Sequence, residues 1–108
     1  MRTAPPNKVP VDPQRIRSMP RQFAPIDRRL VYEKHLQYMS LEAIALLTFL
    51  ECVSDPEGLS FYSDPRICKE LDWNANHLSY ARDGLIDSGF LLYRKPFYQV
   101  LDLPPARS

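Results

Sequence analysis

The sequence predicts a mainly α domain with a small β-hairpin, an α+β fold carried behind a disordered basic arm. Three observations predict it. Six of the eleven prolines fall within residues 1–25, where apolar residues are sparse and follow no visible period; such a segment cannot bury enough surface to offset its ordering entropy. Between Ser40 and Gly89, apolar residues recur at helical spacing between residues that cap helices. After Gly89, two β-prone runs flank Arg94-Lys95-Pro96. A chain of 108 residues suits one domain. Its expected divisions are an arm over 1–25, the domain over 26–103 and a flexible tail over 104–108.

The elements follow in order. Asp27 is placed to cap a helix running to about Tyr38, with Leu30, Val31, Lys34 and Tyr38 loosely on one face and a strand competing over Leu30–Tyr32. Ser40 is a good N-cap for Leu41–Val53. That helix is apolar nearly all round, with only Glu42, Thr48 and Glu51 as a polar strip, so it is expected in the core or in a dimer interface. Ser54-Asp55-Pro56-Glu57-Gly58 is turn chemistry, and Leu59–Tyr62 is compatible with a short strand. Asp64-Pro65 opens the next helix, Asp as the cap and Pro at the first helical position, with Ile67, Cys68 and Leu71 on one face. Asn74 caps a helix over about Ala75–Ser88, whose stripe is Leu78, Ala81, Leu85 and Ile86. Gly89 stands where a left-handed residue ends a helix, and Phe90–Tyr93 with Phe97–Leu101 reads as a hairpin.

The formal net charge of +1 hides an asymmetry. Residues 1–30 hold seven basic side chains (Arg2, Lys8, Arg15, Arg17, Arg21, Arg28 and Arg29) against Asp12 and Asp27, a balance of +5. The remainder holds seven basic against eleven acidic residues, a balance of −4. A polyanion-seeking arm on an acidic body fits this split. Cys52 and Cys68 sit inside apolar patterns and read as buried reduced thiols, a disulfide between them remaining open. The N-terminus lacks the apolar run of a secretory signal and the stretch Ile44–Val53 is too short to span a bilayer, so a cytoplasmic protein with no membrane partner is expected.

Two helices joined by a tight turn, the second followed by a hairpin, make the winged helix-turn-helix plan, in which the second helix enters the major groove and the wing meets the flanking backbone. Residues 40–93 carry a resemblance. Ser40-Leu41-Glu42-Ala43 opens the core helix, then come Gly58-Leu59-Ser60-Phe61-Tyr62-Ser63, Ile67-Cys68-Lys69-Glu70-Leu71-Asp72-Trp73-Asn74, and an ending in Ala81, Leu85 and Gly89-Phe90-Leu91. This half of the chain resembles the winged-helix domains of bacterial and phage replication initiators and small transcriptional regulators. The resemblance implies DNA binding through the helix over 75–88, in a regulator or replication accessory of a mobile element, phage or plasmid. It also marks a departure, because Arg82 stands where the pattern has an aliphatic residue.

The expected partner is double-stranded DNA, with homodimerisation as a further expectation. The candidate contacts are Asn74, Asn76, His77, Ser79, Tyr80 and Arg82 on the reading helix, whose groove-facing set also includes Asp83, then Arg94 and Lys95 at the wing tip, and the basic residues Arg15, Arg17, Arg21, Arg28 and Arg29 of the arm and its junction with the domain. Asn76 can bridge an adenine edge or simply be a solvated first-turn residue. His77 reads first as an ordinary surface or semi-buried imidazole, and Tyr80 can reach phosphate or cover a partner. Trp73 reads as a core residue of the turn. Residues 74–88 hold Arg82 against Asp83 and Asp87, a net of −1, which weakens the phosphate contribution. A protein–protein adaptor without DNA binding is therefore the competing reading. No nucleophile elbow, phosphate-cradling glycine loop or histidine–carboxylate cluster is present, so neither catalysis, a cofactor nor a small-molecule ligand is expected.

Overall fold

Asp27 opens the folded part of the chain. Its Oδ1 accepts the Arg29 N–H at 2.9 Å, and one turn of helix, α1 (Arg29–Tyr32), follows. The helix expected to continue to Tyr38 is broken. Lys34 adopts the left-handed conformation (φ 63°), and a 3-10 turn over His35–Tyr38 takes over. The break turns His35 inward, where its ring meets Phe90 edge-on with centroids 5.4 Å apart. That tertiary contact prevails over a weak local helical pattern.

Ser40 then starts α2 (Leu41–Val53) as expected, its Oγ accepting the Ala43 N–H at 3.0 Å. The helix buries Ala43, Leu46, Leu47 and Leu50, a stripe at helical spacing. Cys52 lies off that stripe and is exposed, against the expectation of a buried thiol; Cys68 is half-buried, and both are free. Leu41 is exposed as well. The segment is therefore apolar beyond what its burial requires.

The chain returns through Gly58 into β1 (Leu59–Phe61). Gly58 has φ +85°, and a side chain there would run into the Val100 carbonyl, so only glycine fits this crossing. Ser63, not Asp64, caps α3 (Asp64–Leu71), its Oγ accepting the Arg66 N–H at 3.2 Å. Asp64 occupies the first turn instead, which frees its carboxylate for a partner on the next helix. α3 ends at Asp72, left-handed at φ 56°, with the Trp73 N–H donating to the Cys68 carbonyl at 2.8 Å. Three residues later α4 (Ala75–Asp87) begins, capped by Asn74, whose Oδ1 accepts the His77 N–H at 2.9 Å. Gly89, at φ +85°, closes α4 in the same way, with the Phe90 N–H donating to the Leu85 carbonyl at 2.9 Å.

β2 (Leu91–Arg94) and β3 (Phe97–Val100) form the expected hairpin, with Lys95 and Pro96 as its turn. The sheet has a third strand. β1 pairs antiparallel with β3, giving the order β1-β3-β2 and placing Phe61 opposite Phe97. The described residues, 8–106, thus form a mixed α/β arrangement of four helices and a three-stranded antiparallel sheet, as this computed structural model has it. Expectations for residues 1–7, Arg2 among them, and for 107–108 lie outside the described residues. α2, α3 and α4 pack with one face of the sheet around a core that includes Leu46, Leu50, Ile67, Leu78, Leu85 and Tyr98, all fully buried. Residues 8–23 are exposed throughout, with a single 3-10 turn at Pro13–Arg15.

Candidate nucleic-acid interface

α4 divides cleanly between two environments. Leu78, Ala81 and Leu85 are buried, while Asn76, His77, Ser79 and Tyr80 are exposed, Tyr80 at 61 %. Asn76, His77, Ser79 and Tyr80 belong to the N-terminal half, residues 75–80, which contains no acidic residue. The acids Asp83 and Asp87 follow in the C-terminal half and are also exposed. The half that begins the helix therefore offers neutral donors and acceptors together with the positive end of the helix dipole.

Arg82 departs from the expected set. Its side chain is only 15 % exposed and points into the molecule. Its Nη1 donates to Asp64 Oδ1 at 2.9 Å and to Tyr98 Oη at 2.8 Å. The guanidinium lies over the Tyr93 ring, 4.6 Å from its centroid. Burial works against the charged guanidinium, but the hydrogen bonds it donates to Tyr98 and Asp64 outweigh it and hold the pKa above its usual value. Burial likewise pushes the Tyr98 phenol up, against the pull of Arg82. Arg82 is committed to tying α4 to the first turn of α3 and to the sheet. A periodic signal for this was present: position 82 lies four residues after Leu78 and three before Leu85, on the core-facing stripe. Asp64, Tyr93 and Tyr98 hold the helix in place as its partners, and sequence reasoning did not find them.

Asn74 is committed as well, since its side-chain oxygen caps α4. His77 stands beside Trp73, ring centroids 6.3 Å apart, and Trp73 is half-buried against the core as expected for the turn. Arg94 and Lys95 are exposed at the hairpin tip. Because Arg94 follows Tyr93, the ring that Arg82 covers, the hairpin tip begins beside the middle of α4. Arg66 and Lys69, exposed on α3, add two further cations, Arg66 pairing with Glu70 at 3.2 Å.

The arm cations lie elsewhere. Arg29 is bound to Asp27 at 2.7 Å and to Asp102 at 3.3 Å, which holds the Asp27 carboxyl below its usual value. Arg28 is exposed one residue earlier. Both belong to a segment bordering a cavity to which α4 contributes no residue. The structure thus brings Asn76, His77, Ser79 and Tyr80 together on the exposed side of α4 with Asp83 one turn further along it, sets Arg94 and Lys95 on the neighbouring hairpin, and separates Arg28 and Arg29 from them by element. Among the described residues, no group of three His, Cys, Asp or Glu side chains is arranged to hold a metal ion, and no helix is long and apolar enough to cross a membrane. No protein-family model, curated protein or solved structure matches the chain.

Proposed function

We propose that this is a winged-helix DNA-binding protein, which inserts the N-terminal half of α4 into the major groove and lays the β2–β3 tip on the adjacent backbone. The order helix, strand, helix, helix, strand, strand with sheet order β1-β3-β2 supports the winged-helix reading. The observation that carries DNA binding is the composition of the exposed N-terminal half of α4: four side chains able to meet base edges and no carboxylate before Asp83, one turn further on, with two cations on the neighbouring hairpin. A helix of ordinary diameter fits the major groove, and α4 is held against α3 and the sheet through Arg82, so it is presented rigidly. On the resemblance of residues 40–93, the role is that of a small transcriptional regulator or replication accessory of a mobile element, phage or plasmid.

Phosphate contacts come from few residues, chiefly Arg94, Lys95 and Lys69. Selection from a random duplex library with the full-length chain is expected to return one preferred site, with log affinity falling against log salt with a slope of about −3. Replacing Arg94 and Lys95 by alanine removes about 2 from that slope at every sequence. Replacing Asn76 and Tyr80 instead relaxes the site preference. A library that yields no enriched duplex, or one whose preference survives loss of Asn76, Tyr80, Arg94 and Lys95 together, overturns the proposal.

One observation favours a second reading. With Arg82 turned inward, the only charged side chains exposed on α4 are Asp83 and Asp87. A protein adaptor using this acidic half would pull down a basic protein partner without nucleic acid, and Asp83→Lys with Asp87→Lys would abolish that capture while strengthening any duplex binding.

A further inference from the structure

A second feature lies away from α4. An open cavity of about 1050 Å³ is bounded by residues 22–27, one side of α2, the turn over 54–58 and the chain leaving β3. Its apolar lining includes Leu30, Met39, Ile44 and Leu47. Its charged lining is wholly acidic: Asp27, Glu51, Asp55, Glu57 and Asp102 line it, and no lysine, arginine or histidine does. Arg29 satisfies Asp27 and Asp102. Glu51, Asp55 and Glu57 enter no ion pair among the described residues. Burial raises the Glu51 carboxyl above its usual value and the Asp27 charge adds to the effect, as befits a carboxylate short of a cation.

The arm has the opposite character. Val9, Val11, Ile16 and Met19 are 80 %, 103 %, 64 % and 60 % exposed. Arg15, Arg17 and Arg21 are interleaved with the last two of them. Residues 8–21 carry four basic side chains (Lys8, Arg15, Arg17 and Arg21) against Asp12, a balance of +3. Exposed apolar groups among cations in one segment match an apolar cavity lined only by anions in another. Burying the first in the second removes apolar surface from water, and the charges set partner and orientation. Residues 22–27 already wall the cavity, and the chain preceding them runs outward, exposed at every position from Lys8 to Phe23. Fully extended, residues 8–21 span about 45 Å, enough to cross onto a neighbouring domain of this size.

We propose that residues 8–21 of one copy dock in this cavity of a second copy, and reciprocally, giving an arm-exchanged homodimer with closed twofold symmetry. The inference is independent of the DNA-binding reading, because the cavity shares no residue with α4. In the dimer Arg15, Arg17 and Arg21 face carboxylates, so α4 and the hairpin remain as the nucleic-acid surface.

Charge exchange in the full-length chain tests it. One variant reverses the arm (Arg15→Glu, Arg17→Glu, Arg21→Glu), and another reverses the cavity (Glu51→Lys, Asp55→Lys, Glu57→Lys). Sedimentation velocity is expected to find the wild type dimeric, each variant alone monomeric, and a 1:1 mixture dimeric, since mixing restores both reciprocal contacts. A wild type that stays monomeric up to its solubility limit overturns the proposal, as does an arm-reversed chain that still dimerises or a mixture of folded variants that does not. Should the cavity variant not fold, Cys52 serves as a reporter, because it is exposed and lines the cavity. Met19→Cys is then expected to form a disulfide-linked dimer on a non-reducing gel. An equal yield of dimer from Met19→Cys with Cys52→Ser would sink the assignment.

Discussion

Helices α2 and α4 are both thirteen residues long and pack against each other, yet they treat their side chains oppositely. α2 is apolar around most of its circumference and still leaves Leu41 and Cys52 exposed. α4 has just enough apolar residues for one stripe, the buried Leu78, Ala81 and Leu85 with the half-buried Ile86, and every other position is polar, small or tyrosine. A helix whose identity is fixed by the core accepts surplus hydrophobicity on its outer side, where it costs little or meets a partner. α4 instead keeps its outer face polar and relies on a minimal stripe plus an anchoring network. In this molecule the anchor is Arg82 with Asp64 and Tyr98.

The largest expected contrast is between the buried stripe of α2 and the outer face of α4. Leu46 is fully buried, and Leu46→Ala should cost about 3 kcal/mol through lost transfer energy and the cavity left behind. Ser79 is exposed and has no structural partner among the hydrogen bonds above, so Ser79→Ala should change stability by less than about 0.5 kcal/mol. Urea denaturation of both variants checks the pair. Near-equal losses would mean that α4 is packed against something on its outer side, and the division of labour would fail.

How far these roles could be read from the sequence differs between the two helices. Both helices were legible, because Ser40 and Asn74 carry capping side chains and Gly89 carries a positive φ, all local properties. The pairing of β1 with β3 was not, since Leu59 meets Gln99 across thirty-nine intervening positions and no local pattern encodes that register. The same limit explains α1: the left-handed Lys34 serves the burial of His35 against Phe90, a contact with a distant segment. On the candidate face, the helical period sets Asn76, His77, Ser79, Tyr80 and Asp83 off the apolar stripe, while the choice of this helix as the reading helix rests on the element order and the resemblance. Arg82 was assigned outward because it is charged, although its position on the stripe pointed inward. Charge is a weaker guide than periodicity when a buried hydroxyl and a carboxylate stand ready to receive it.

The anchor gives the next contrast. Arg82→Ala should cost about 2 kcal/mol, since it leaves the buried Tyr98 hydroxyl without its charged donor and uncovers the Tyr93 ring. Tyr98→Phe, which removes only the hydroxyl, should cost about 1 kcal/mol. The double variant should cost less than the sum, the mark of a shared contact. The pH dependence separates them further. The Tyr98 phenol is raised in the folded protein, chiefly by burial, so its contribution is fully present below the ordinary phenol value and is lost as pH rises through and beyond it. The wild type should therefore lose stability more steeply than Tyr98→Phe above a pH of about 10, as thermal melts across that range would register. Parallel slopes would remove Tyr98 from the network.

The smallest effect concerns the turn that sets the angle between α3 and α4. Asp72 holds a left-handed conformation (φ 56°) at the C-terminal end of α3. An aspartate tolerates that region better than most residues, yet it still pays a steric cost, and it places a negative charge at the negative end of the helix dipole. Asp72→Gly removes both penalties and should raise stability by about 0.5 kcal/mol, measured by urea denaturation. Asp72→Ala removes the charge but keeps a β-carbon in the left-handed region, so it should lie below Asp72→Gly by about 1 kcal/mol. Ser79→Ala on the outer face of α4 is the neutral reference for both. A glycine variant less stable than the wild type would show that the Asp72 carboxylate makes a stabilising contact of its own. The turn would then depend on its side chain as α4 depends on Arg82, rather than on backbone conformation alone.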